Sequence, residues 1–255
     1  PALSHEFWIE PEQYQVESDE TMIAHLRNGE NFKGVSLGWF DRNFTRFEIA
    51  QGGNVRPVEG RMGDTPALQV EAGQPGLAVI LHETTPSKIT YGDWEKFVRF
   101  VNHKDFKDAE ERHEAQGWSK EKFSESYTRH AKALVAVEGG TGEDRAFGLE
   151  TEFVALSNPY APDFDGTMRV QLFYKGAPRL DAQVEVFEKT PDGEAAITLH
   201  RTDATGEARV PVKPGHTYLF DAVVLRPSAM AGTEENAPVW DTLWAALTFE
   251  VPDNR

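Results

Sequence analysis

The sequence predicts a mainly β protein of two β-sandwich domains, the first carrying a helical insertion. Three observations lead there. Apolar and polar residues alternate with a period of two through residues 5–82 and again through 168–225. Turn chemistry closes each short run, and between the two regions the apolar spacing becomes helical. The expected boundaries are 5–157 for the first domain, with its insertion at about 91–132, and 166–255 for the second.

Taken in order, His5, Phe7 and Ile9 share one face of an opening strand, and Pro11 stops it. Residues 21–26 form a second strand, closed by Asn28-Gly29. In 46–50, Phe47 and Ile49 share a face before the hairpin-type turn Gly52-Gly53-Asn54. Leu68 and Val70 continue the alternation. Residues 77–81 are apolar throughout, as a strand covered on both faces must be. Trp94, Phe97, Val98 and Val101 then fall at helical spacing, with Thr90 and Asp93 as a capping arrangement. Residues 105–116 form a highly charged helical segment. Ser119 is expected to cap a further helix with Phe123, Tyr127 and Leu134 on one stripe and His130 at its edge, a strand resuming at Ala133. Residues 149–156 return to strand, and Asn158-Pro159-Tyr160-Ala161-Pro162 reads as the interdomain linker.

In the second domain, Met168, Val170, Leu172 and Tyr174 alternate with Arg169, Gln171 and Phe173. Val184 and Val186 define the next strand. Pro191-Asp192-Gly193 and Asp203-Ala204-Thr205-Gly206 are turns, because Pro presets φ and Gly accepts positive φ. Ala208, Val210 and Val212 follow, then 217–225. The last strand, 240–251, sets Leu243, Leu247, Phe249 and Val251 against Trp240, Thr242, Trp244 and Ala246. Two tryptophans on a nominally outer face call for a partner surface, and the N-terminal half is the expected one.

A chain of 255 residues can bury roughly 70–75% of its unfolded surface. No apolar run reaches the ~20 residues of a membrane-spanning helix, so no transmembrane segment is expected. The formal net charge of −16 repels phosphate backbones and excludes nucleic acid as the main partner. There is no cysteine, which removes disulfides, thiolate metal sites and Cys nucleophiles. Pro1-Ala2-Leu3-Ser4 has small residues where signal peptidase needs them, which points to export with cleavage before His5.

The opening His5-Glu6-Phe7-Trp8-Ile9-Glu10-Pro11 is similar to that of a NikM-like family of secreted bacterial proteins of unknown function. Further matches are Glu125-Ser126-Tyr127-Thr128-Arg129-His130-Ala131-Lys132-Ala133-Leu134, residues 148–159, Thr202-Asp203-Ala204-Thr205-Gly206 and the closing 240–251. The family is associated with periplasmic cobalt or nickel uptake. The second domain resembles the prealbumin-like modules that accompany carboxypeptidases and surface adhesins. The resemblance implies a periplasmic location, a prealbumin- or Ig-like second sandwich, and a membrane transporter component as partner. In that family an aromatic residue often stands where this chain has His130, which removes His130 from any shared role.

The first functional reading is therefore a non-catalytic accessory protein for uptake or handling of a divalent transition metal. Only imidazoles and carboxylates are available as strong ligands, which suits Ni, Co, Cu or Zn. Glu110 and His113, three apart, project from one helical face, and His103 lies nearby in sequence. His5, if it becomes the N-terminus, offers an amine and an imidazole together. The expected site is His5 with His103, His113 and Glu110. His25, His82, His200 and His216 fall at strand ends or turns and read as structural or solvent-facing. An enzyme is not expected, because the chain lacks Gly-x-Ser-x-Gly, His-Glu-x-x-His and a phosphate-binding glycine loop. The alternative is a carbohydrate- or protein-binding module using the Trp240/Trp244 face.

Overall fold

The structure is a computed structural model and describes residues 5–253. The first half contains β1 (Glu6–Pro11), β2 (Gln15–Val16), β3 (Thr21–Glu30), β4 (Lys33–Leu37), β5 (Phe44–Gln51), β6 (Asn54–Pro57), β7 (Leu68–Glu71), β8 (Gly76–Thr84) and β9 (Ser87–Tyr91). Helices α1 (Trp94–His103) and α2 (Ala109–Ala115) follow. The remainder is β10 (Phe123–Val137), β11 (Thr151–Ala155), β12 (Thr167–Tyr174), β13 (Ala177–Pro178), β14 (Gln183–Lys189), β15 (Ala195–Arg201), β16 (Glu207–Pro211), β17 (Thr217–Pro227) and β18 (Pro238–Glu250). A mainly β sandwich with a short helical insertion is thus what forms. Among the described residues no helix is long and apolar enough to cross a membrane.

The central layer is a ten-stranded sheet with the path β15-β14-β17-β18-β10-β8-β5-β6, and β2 and β9 also pair with β10. It draws strands from both halves of the chain. The join is a parallel ladder between β10 and β18, from Glu125↔Trp240 to Ala133↔Thr248. Parallel neighbours need a long crossover, and here everything between Val137 and Pro238 supplies it. The expected boundary at 158–165 therefore falls inside a shared architecture: β10 pairs with β18, and β11 pairs with β12.

Each face of this sheet is covered. One face packs against a four-stranded sheet of β11, β12, β13 and β16. Val170, Leu172, Val184, Val186, Val210, Leu247 and Phe249 lie in that core as their alternation predicts, together with Leu77, Leu81 and Leu134 from the first half. On the opposite face the cover is split. The sheet of β1, β3, β4 and β7 seals Trp8, Ile9, Met22 and Leu68 over Ile80, Ala131 and Val135. The two helices seal Phe97, Phe100 and Val101 over Phe123, Val223, Trp240 and Trp244. The β3–β4 hairpin turns through Asn31 and Phe32, both at positive φ, and its strands close at Gly29↔Gly34. A Cβ on Gly29 would come within 2.1 Å of the Lys33 carbonyl oxygen, so only glycine fits there.

One expected element is corrected. The segment after Ser119 is a single fifteen-residue strand, with no further helix before Ala133. Phe123, Tyr127 and Leu134 fit a helical stripe, but Phe123, Glu125, Tyr127, Arg129 and Ala131 also fit period two. Strand partners along both edges of β10 decide the matter, with β9 and β8 on one side and β18 on the other. Ser119 instead closes a turn, its hydroxyl accepting from the Glu121 and Lys122 amides. At α1 the cap is Asp93, which accepts from the Glu95 amide, while Thr90 bonds Ser124 across the sheet.

A shared central sheet predicts one cooperative unfolding transition. Leu247→Ala, fully buried in β18, should lower stability by about 2–5 kcal/mol in that single transition, read by urea denaturation with tryptophan fluorescence. Two separable transitions would show instead that the halves fold independently.

Candidate functional site

The fold does not bring His5, His103, Glu110 and His113 to one place. His113, on α2, is fully buried with both ring nitrogens engaged. Trp240 Nε1 donates to its Nδ1 at 3.0 Å, which fixes the tautomer, and its Nε2 donates to the Ser119 carbonyl at 3.1 Å. Rings of Trp94, Phe123 and Trp118 enclose it. Burial holds its pKa below the ordinary histidine value. It has no lone pair left for a metal and serves as the joint between α2 and the sheet. Glu110 is half-buried on the same helix. His103, at the end of α1, contacts Glu185 through Nε2 at 3.1 Å. His5 is exposed at the start of β1 and lines a cavity. Among the described residues no group of three or more His, Asp or Glu converges as metal ligands.

The tryptophan face is covered from the N-terminal half. Trp240 is 0% and Trp244 2% exposed. Phe97 stacks on Trp240 at 6.1 Å and Phe100 on Trp244 at 5.9 Å. The helices occupy the surface that a sugar or peptide platform would need.

What the fold does create is a seam where the two covers of one face meet. A cavity of about 790 Å³ opens there. Its walls are His5, Phe7 of β1, Asn28 of β3, Leu37 of β4, the strand β9, and Lys96 of α1 with its cap Asp93. Its floor is the stretch of β10 that neither cover reaches, carrying Glu125, Tyr127 and Arg129, with Trp244 of β18 beside it. Glu125 is buried. Its Oε2 accepts from the Tyr91 hydroxyl at 2.8 Å and its Oε1 from the Thr242 hydroxyl, which in turn accepts from Trp244 Nε1 at 3.1 Å. Burial pushes the Glu125 carboxyl up from its usual range. Arg129 lies over the Trp244 ring at 4.1 Å and the Tyr127 ring at 5.3 Å. Its Nη1 is enclosed without an acceptor, and burial lowers its pKa.

The same seam buries a charge cluster. Lys104, just past α1, donates to Glu185 at 2.8 Å and Asp221 at 3.0 Å, with its ammonium 4.8 Å from the Trp244 ring centroid. Burial alone would lower the Lys104 pKa, but the Asp221 and Glu185 carboxylates raise it. Burial pushes Asp221 up. Burial works the same way on Glu185, yet hydrogen bonds from His103 and Lys104, with their charges, hold it below its ordinary value. Glu6 is raised to about 7, first by burial and then by the nearby Asp221.

A second cleft of about 600 Å³ is lined by Glu10, Glu12, His25, Arg27 and Lys189. Its cations are already paired, Arg27 with Glu10 at 2.6 Å and Lys189 with Glu10 at 3.6 Å, and His25 contacts Glu12 at 3.1 Å. It offers a ligand less unmet chemistry than the seam.

Sequence reasoning passed over the seam residues. Asp221 was the readable signal, a carboxylate inside the apolar run Tyr218-Leu219-Phe220-Asp221-Ala222-Val223, where an unpaired charge would be prohibitive. Glu125 and Arg129 were hidden by the helical reading of 119–132.

Fold and site together define a mainly β protein with a polar cavity under a split cover. Residues 2–226 match a family described as a domain of unknown function (DUF4198), and the chain belongs to that family. Two solved structures share low similarity with it. The D0-D1 domain of intimin is 13% identical over 95% of this chain and 97% of that one, with a TM-score of 0.22. A tetra-tandem repeat from the extending region of a large adhesion protein is 8% identical over 97% of this chain and 50% of that one, with a TM-score of 0.21. No curated protein matches the chain.

Two predictions follow the charge cluster. Lys104→Met leaves Glu185 and Asp221 buried without their cation and should cost about 3–5 kcal/mol of stability in denaturant titration, against nearly nothing for exposed Lys107→Met. Because the folded pKa of Glu6 lies above its ordinary 4.5, the folded state holds that proton more tightly. Its contribution is complete below about pH 4.5 and is lost as pH rises through about 7. His103, raised by its hydrogen bond to Glu185, acts in the same direction. Glu6→Gln stays neutral, so its stability should fall by about 1–3 kcal/mol less than wild type between about pH 5 and pH 8. Equal slopes would remove Glu6 as a titrating group.

Proposed function

We propose that the protein is a non-catalytic binding protein whose ligand site is the cavity at the seam. The single observation that carries this reading is the floor. Glu125, Tyr91, Thr242 and Trp244 form a buried hydrogen-bonded network, with Arg129 stacked beside it, where apolar residues would have packed more cheaply. A concave site with an apolar wall and a few convergent polar groups is what small-molecule recognition needs. Both oxygens of Glu125 are occupied, which suits holding a ligand better than moving its protons.

Divalent-metal handling is the second reading, for nickel, cobalt, copper or zinc, in the periplasm and with a membrane transporter component. It rests on the family resemblance and on His5 lining the same cavity as Asp93 and Glu125.

Thermal unfolding in the presence of a panel of organic solutes and of the four metal ions tests both. A solute at about 100 times its Kd adds about 2.7 kcal/mol, worth roughly 5–10 °C in a chain of this size. Ser87→Trp, placed on the exposed cavity wall, should abolish a genuine solute shift while keeping the unliganded Tm. A metal shift lost in His5→Ala supports the second reading. If no solute shifts wild type, or the shifts survive Ser87→Trp, the cavity is not the site.

A further inference from the structure

The charge facing the cavity has the opposite sign to the protein as a whole. The chain carries −16, yet Arg129, Lys88 and Lys96 all line this space. The two acids in the lining are already engaged. Asp93 caps α1 through the Glu95 amide, and Glu125 takes bonds from Tyr91 and Thr242. The cations are not matched in the same way. Among the described residues none of the three makes an ion pair, and Lys88 makes only a 3.4 Å contact to the Asn236 carbonyl. Arg129 is the most constrained. Its backbone amide donates to the Thr84 hydroxyl at 3.0 Å, and its guanidinium donors have no acceptor among the described residues.

Resting on the cavity reading above, we propose that the ligand is an organic carboxylate with an apolar body, its carboxylate paired with Arg129. A guanidinium lying over an indole keeps its in-plane N–H donors for an acceptor, and that fork matches a carboxylate in geometry and charge. Lys88 and Lys96, on the rim, raise the local concentration of anions. Phe7, Leu37, Ile89 and Tyr127 supply apolar wall for the remainder of the ligand. This favours a monoanion with a ring or short chain over a free phosphate, whose two charges and full hydration shell the apolar wall would strip without compensation. Asp221, Glu125 and Glu6 offset part of the Arg129 charge at longer range, and burial drives all three toward their neutral forms.

Isothermal titration of the full chain with benzoate, phenylacetate, benzamide and inorganic phosphate decides the matter. The carboxylates should bind wild type at least tenfold more tightly than benzamide or phosphate. Arg129→Met, which keeps the packing on Trp244, should weaken the carboxylates at least tenfold and leave benzamide unchanged. Arg129→Lys should fall between, since it retains the charge without the fork. If Arg129→Met does not fold, the Arg129→Lys loss and the acid-to-amide ratio carry the test. Benzamide binding as tightly as benzoate, or carboxylate affinity indifferent to both variants, overturns the proposal while leaving the cavity as the site. Phosphate binding more tightly than the carboxylates assigns an inorganic anion and also overturns it. No carboxylate binding to wild type overturns it as well, and the solute panel with Ser87→Trp then decides the cavity reading separately.

Discussion

The parallel ladder between β10 and β18 is the constraint from which the rest of the molecule follows. By joining a strand of the first half to the last strand of the chain, it produces one broad central sheet. One face of that sheet is covered evenly by a second sheet. The opposite face is too large for the four strands of β1, β3, β4 and β7, and the apolar strip of Trp240, Trp244, Val223 and Leu225 would remain wet. The helices exist to close that remainder, and their own polar surface explains why α2 has so few apolar anchors.

Two covers on one face leave a seam, and the seam gathers the ionisable chemistry. At that line neither cover supplies enough apolar side chains, so Glu185 and Asp221 on the sheet meet Lys104, the residue that ends α1. Such a cluster adds little net stability over a packed apolar equivalent, because desolvation offsets most of the attraction. Its effect is positional. Lys104 can satisfy both carboxylates in only one seating of α1, and that seating sets the height of the cavity wall carrying Asp93 and Lys96. His113 performs the same service for α2, holding Trp240 and the Ser119 carbonyl at once.

Much of this was legible in the sequence, and the parts that were not share a cause. Period two puts Val170, Leu172, Val184 and Phe249 in a core because the alternation that sets each residue's face is local to its own strand. Helical spacing found α1 because Phe97 and Val101 face one apolar surface. The 119–132 segment misled because its aromatic spacing satisfies both periods, and only strands distant in sequence break the tie. The seam was illegible for the same reason. Glu6, Lys104, Glu185 and Asp221 come from four separate elements, so no local pattern joins them. The local spacing of Glu110 and His113 points to a shared ligand face, but His113 is held by Trp240, more than a hundred positions away.

That central ladder also orders events in time. Its partners are so far apart in the chain, 115 positions at Glu125↔Trp240, that closing them is entropically slow compared with any hairpin in the molecule. During synthesis the long edge of β10 waits, unpaired and rich in backbone donors and acceptors, until the thirteen residues of β18 arrive. A chain held short of that strand is left with open sheet margins and with Phe97 and Phe100 of α1 uncovered, the state most prone to self-association.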